Sequence, residues 1–93
     1  MRFASLSPSP IQSKKYRITF EPYKVYDFGS KNSSTYLDHK DAKKRDAYIA
    51  RHAVNEDWNK VNPGSLSRYI LWGDSTNIKH NLIDYLNKFN IQY

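Results

Sequence analysis

Alternation of apolar and polar positions is sharpest in "YRITF" (residues 16–20), where Tyr16, Ile18 and Phe20 face one way and Arg17 and Thr19 the other. That is the period of a half-buried strand. Glu21-Pro22 interrupts it, "YKVYDF" (23–28) is a second β-rich run, and Gly29 ends it, so the two runs predict a hairpin. "STYL" (34–37) has the composition of a short third strand. From about His39 to Asn55 the period becomes helical, with Asp38 placed as N-cap and Asp41 as an acid at N3. On that helix Lys40, Lys43, Lys44, Ala47 and Arg51 fall within an arc of about 100°. Ala42, Ile49 and Ala53 lie opposite. The expected buried stripe is therefore mostly alanine, and the exposed one is a basic ridge.

"NPGSLSRYILWGDS" (62–75) encloses a short helix, with Pro63-Gly64 as punctuation, Ser65 as cap and Gly73 as the stop. Leu66, Tyr69, Ile70, Leu71 and Trp72 point in nearly every direction around it. A helix apolar all round is buried on several sides or faces a partner. Leu66 and Ile70 share a direction and are expected in the core, whereas Trp72 points about 160° away from Ile70. "STNIKHNLIDYLNKF" (75–89) is the clearest amphipathic helix. Ser75 is its expected cap, Ile78, Leu82, Tyr85, Leu86 and Phe89 its apolar stripe, and His80, Asp84 and Asn87 its wet face.

Upstream of the hairpin, "SLSPSPIQS" (5–13) carries two Ser-Pro steps and little to bury, which predicts an extended, partly polyproline segment. Residues 1–14 thus form an arm and residues 15–93 one small α+β domain: a hairpin, with a short third strand if 34–37 pairs, and three helices packed on it. The arm holds only Phe3, Leu6 and Ile11 as apolar groups. Ordering its backbone costs ~1–2 kcal/mol per residue, so the expected seat for these three side chains is an apolar groove on a neighbouring protein.

Charge sharpens this picture. The chain carries +6, and residues 1–20 hold Arg2, Lys14, Lys15 and Arg17 without a single acid. Residues 39–52 hold Lys40, Lys43, Lys44, Arg45 and Arg51 against Asp41 and Asp46, and the rest of the chain is slightly acidic. A field localised in two segments attracts an anionic partner. Nucleic-acid phosphate and an acidic protein surface both fit, and so does a merely solvated face. No zinc-ligand set, ribonucleoprotein signature or basic-zipper heptad accompanies the charge.

Candidate chemistry is sparse. There is no Cys, hence no disulfide and no thiolate metal site. His52 and Glu56 stand four apart, and His39 and Asp41 flank the helix start. Paired side chains of this kind can hold metal or transfer protons. A third ligand is missing, because His80 falls on the wet face of the last helix, so a bordering histidine paired with a carboxylate is the simpler reading. No Gly-rich phosphate loop or nucleophile elbow is present. Neither a catalytic, a cofactor nor a metal site is expected. The longest apolar run is "YILW" (69–72), too short to span a bilayer, and "MRFASLSPSP" lacks the apolar centre of a signal peptide. Trp58 is expected in the core. Tyr69 and Trp72 are candidate partner anchors, large aromatics that order at low entropic cost.

The succession "FG" (28–29), "HKD" (39–41), "YIARH" (48–52), "EDW" (56–58) and "GSLSRYILWG" (64–73) resembles a family of small basic proteins encoded by large, nucleocytoplasmic-type DNA viruses of algae and amoebae. The resemblance spans about residues 15–90 and excludes the arm. It implies a viral origin, with the virion and, during assembly, the host cytoplasm as locations, and it carries no catalytic residues. Together with the arm it favours a minor structural protein that ties coat proteins together. Lys14, Lys15, Arg17, Lys40, Lys43, Lys44 and Arg51 would be its polar contacts, and Phe3, Leu6, Ile11, Tyr69 and Trp72 its apolar ones. The alternative is a small DNA-binding protein for genome packaging or regulation.

Overall fold

The expected hairpin is the centre of the fold. In the computed structural model, which describes residues 1–93, β2 (Lys14–Glu21) pairs antiparallel with β3 (Lys24–Ser30). Pro22 and Tyr23 make the turn, with Tyr23 at a positive φ of 67°. Ile18, Phe20 and Phe28 point to the buried face, as the period of two requires.

The arm does not leave the domain. Residues Arg2–Pro8 form a strand, β1, that pairs antiparallel with β2 and completes a three-stranded sheet in the order β1-β2-β3. Phe3 pairs with Phe20 and Leu6 with Ile18, and both pack on the core. Phe3 and Leu6 are an odd number of residues apart, so a regular strand would place them on opposite faces. A bulge between Phe3 and Ser5 absorbs the extra residue and turns both inward. Pro8 sits at the end of an edge strand, where a missing N–H is tolerated. Ile11 lies in the turn between β1 and β2 and stays 42 % exposed.

That turn is tied to the sheet. The Ser9 hydroxyl donates to Asp27 Oδ1 at 2.7 Å, and Arg17 donates to both oxygens of the same carboxylate at 3.0 and 3.1 Å. Arg17 first, then Ser9, holds the Asp27 carboxyl below the usual carboxylate range. The folded value lies below the unfolded one, so this contribution to stability is present above the ordinary carboxylate range and is lost as pH falls through the lowered value.

Four helical segments follow: α1 (Tyr36–His39), α2 (Ala42–Ala53), α3 (Pro63–Leu66), which runs on as a π-turn over Ser67–Leu71, and α4 (Ile78–Lys88). The class is α+β, as expected, but several starts differ. Residues 34–37 are no strand, because Thr35 and Asp38 form a capping box that opens α1. Lys40 then takes a left-handed conformation, φ 56°, and separates α1 from α2. Asp41 is the true N-cap of α2, accepting from Lys43 N at 2.9 Å. Asn62, not Ser65, caps α3, and Asn77, not Ser75, caps α4.

The core joins the sheet face (Ile18, Phe20, Phe28) to Leu66, Ile70, Leu71, Tyr85, Leu86 and Ile91. Ile78, Leu82 and Phe89 extend the α4 stripe, as the helical period predicts. Tyr85 hydrogen-bonds Ser65 at 2.8 Å inside this core, and burial pushes its phenol up to about 12. Asn81 is fully buried and donates to the carbonyls of Ile70 at 2.9 Å and Ser75 at 2.7 Å, locking the π-turn to α4.

Deleting residues 1–8 therefore removes a strand of the core sheet. The expected cost is about 3 kcal/mol or more, from the loss of Phe3 and Leu6 burial alone, and urea unfolding of the truncated chain checks it.

Candidate functional site

The most basic helix, α2, is held to the body along one narrow stripe. Arg45, Tyr48, Ile49 and His52 face inward on α2, and Tyr48 alone is buried, at 8 %. The expected alanine stripe is not the contact: Ala42 and Ala53 are both exposed. Spacings of three and four place Arg45, Tyr48 and His52 on one face, and an aromatic with a guanidinium stem reaches a neighbour that alanine could not.

Their target is Trp72. Its indole stacks on the Tyr48 ring at 4.3 Å with an interplanar angle of 4°. His52 stacks on Tyr48 at 4.2 Å, and the His39 ring lies 5.2 Å from Trp72. The result is a column of four rings, His39–Trp72–Tyr48–His52. Arg45 Nε donates to the carbonyls of Trp72 at 3.2 Å and Gly73 at 2.9 Å, and its Nη2 pairs with Asp74 at 2.6 Å. Arg68 Nη1 donates to the same Trp72 carbonyl at 2.9 Å. Two cations thus meet the carbonyl that ends the π-turn, where the helix dipole is negative. Burial, and then the charge of Arg45, lowers the pKa of Arg68. Burial, with Glu56 nearby, pushes the Tyr48 phenol up to about 12.

Between α2, the 30–35 loop, β3 and α3 lies an open cleft of about 610 Å³. Lys14, Lys44 and Arg51 border it, with Ser33, Ser34, Tyr48 and Trp72 also in its lining. Its one carboxylate, Glu56, is engaged by His52 Nδ1 and by Trp58 Nε1 at 3.4 Å. Gly64 makes room for Glu56, since a β-carbon there would collide with its carboxylate oxygen. His39 lines the cleft as well. Asp41 N donates to His39 Nδ1 at 3.0 Å, which leaves the ring proton on Nε2, a buried donor with no partner. Leaving such a donor unmet costs ~1–3 kcal/mol.

The predicted basic residues divide sharply. Lys15 is spent on Ser33 O and Asp38, and Arg17 on Asp27, so neither is free to meet a partner. Lys14, Lys43, Lys44 and Arg51 make no ion pair, and neither does Lys40. Lys40 falls outside the helix, so the ridge on α2 itself is Lys43, Lys44, Ala47 and Arg51, all exposed. The structure brings Lys14, from the first basic segment, into the same cleft as Lys44 and Arg51 of the second. The expected apolar anchors are placed otherwise. Phe3 and Leu6 pack on their own core, Trp72 is taken by Tyr48, and Tyr69 lies among Trp58, Tyr85 and Phe89. No three His, Asp or Glu side chains gather closely enough to hold a metal ion. No helix is long and apolar enough to cross a membrane.

Residues 4–52, just over half of the chain, match the family described as a family of unknown function (DUF5754). No curated protein and no solved structure matches the chain. The matched span takes in most of β1, the hairpin and all but the last residue of α2, and so most of the free cations.

Ile70→Ala and Trp72→Ala are expected to separate core from joint. The first opens a cavity in the core and costs ~2–5 kcal/mol of global stability. The second frees α2 while the sheet and α4 persist. Hydrogen exchange that accelerates at residues 42–53 alone in Trp72→Ala checks the distinction.

Proposed function

We propose, for a chain that belongs to this family of unknown function, a non-enzymatic role: docking nucleic-acid phosphate through the basic face of α2. The supporting observation is the sorting of charge. Lys15, Arg17 and Arg45 hold the fold together, while Lys14, Lys43, Lys44 and Arg51 are left without acidic partners around one helix and its cleft. Lysines and arginines that neutralise backbone phosphates release counterions, and this term needs no recognition motif. The resemblance to small basic proteins of large DNA viruses makes genome packaging or viral regulation the setting. Duplex DNA contacted by four cations gives log K falling with log salt at a slope of about −4. Reversing Lys43, Lys44 and Arg51 to Glu leaves the fold intact, because all three are exposed, and brings that slope towards zero. A triple variant that melts normally and binds duplex as well as the parent removes this reading.

A second reading, a minor structural protein of the virion bound to neighbouring coat proteins, no longer has a free arm to rest on, since residues 2–8 belong to the sheet. It is favoured by a different feature, the hairpin tip, where Tyr23 is 99 % exposed beside Val25 at 50 %. An aromatic standing wholly in water serves as an anchor for a protein partner. In this reading the protein is assembled in the host cytoplasm and resides in the particle. Tyr23→Asp is then expected to abolish incorporation into purified virions without lowering the melting temperature, and normal incorporation argues against it.

A further inference from the structure

Resting on the nucleic-acid reading, we propose that the cleft beside α2 takes a single strand, with phosphates on Lys14, Lys44 and Arg51 and a base on the outer face of His52. Three independent features of the cleft support this. Its volume, about 610 Å³, is within the ~300–1,000 Å³ of ordinary ligand sites and accommodates a nucleotide or two of unpaired chain. A duplex keeps its bases inside its own stack and cannot present one there. The charge is one-sided: three free cations from two separate elements border the space, and its single carboxylate is already engaged by His52 and Trp58.

The rings supply the third feature. Trp72 and Tyr48 cover each other, and Tyr48 covers one face of His52, so His52 is the open end of the column. Its side chain is 41 % exposed and lies in the cleft lining. Single-strand binding proteins join a cationic groove to such stacking platforms, because every base has a π-face.

The test uses the full chain, a labelled oligothymidylate and a mixed-sequence duplex, each titrated by anisotropy at two salt concentrations. The Trp72 indole, one of two in the chain, is followed by NMR and assigned by its loss in Trp72→Phe. The expected result is binding of the single strand with a shift of the Trp72 indole resonance. Lys14→Gln is expected to reduce the single-strand salt slope by about 0.7 and to spare the duplex. Lys43→Gln, on the ridge but outside the cleft, weakens the duplex and spares the single strand. His52→Ala is expected to weaken the single strand roughly ten- to hundredfold, a stacked base's worth, and His52→Phe restores it. Equal binding of single strand and duplex, with Trp72 unmoved and Lys14→Gln silent, overturns the cleft proposal and leaves the α2 reading standing. Absence of binding to either nucleic acid at low salt overturns both. A Trp72 shift with inorganic phosphate or a mononucleotide, but not with the longer strand, also overturns it, in favour of a small-ligand site.

Discussion

The flat contact between Tyr48 and Trp72 is the joint on which the rest of the molecule's surface depends. It closes a 24-residue sequence gap with two rings at 4.3 Å, and it works because two arginines hold the Trp72 carbonyl from different sides. Arg45 reaches it from α2 and Arg68 from within the π-turn itself. The π-turn matters for the same reason. Its wider winding puts Ile70 and Leu71 into the core and still turns Trp72 outward to meet α2. Asn81 secures that geometry from below through the carbonyl of Ile70. Stack, arginine clamp and buried amide form one connected support.

A helix attached along a single stripe keeps most of its circumference open. That is why α2 can present Lys43, Lys44 and Arg51 to solvent and border a cleft on its flank at once. A helix seated closely on alanines would have closed the cleft. The fold also separates its cations by task. Lys15, Arg17 and Arg45 brace the sheet and the joint, while Lys14, Lys43, Lys44 and Arg51, which make no ion pair, lie around α2 and its cleft. Pairing some charges internally removes them from the surface field and concentrates what remains. The DUF5754 match ends at His52, the last ring of the column and a lining residue of the cleft.

Much of this architecture was written in local pattern. The period-two runs at 16–20 and 23–28 determined the hairpin, and the stripe of Ile78, Leu82, Tyr85, Leu86 and Phe89 determined α4, because burial of one face is a local property of a regular element. The location of the excess charge was equally plain. Three things were decided only by tertiary structure. The strand status of residues 2–8 depends on a bulge that breaks the alternation of Phe3 and Leu6, so no fixed period reveals it. The inward face of α2 is chosen by what it touches. Tyr48 and Arg45 find Trp72 across the chain, whereas Ala42 and Ala53, which share a stripe with Ile49 just as regular in sequence, stay exposed. The fate of each cation depends on which acid the fold brings near. Asp27 stands ten residues from Arg17 and Asp74 twenty-nine from Arg45, and only folding sets such distances.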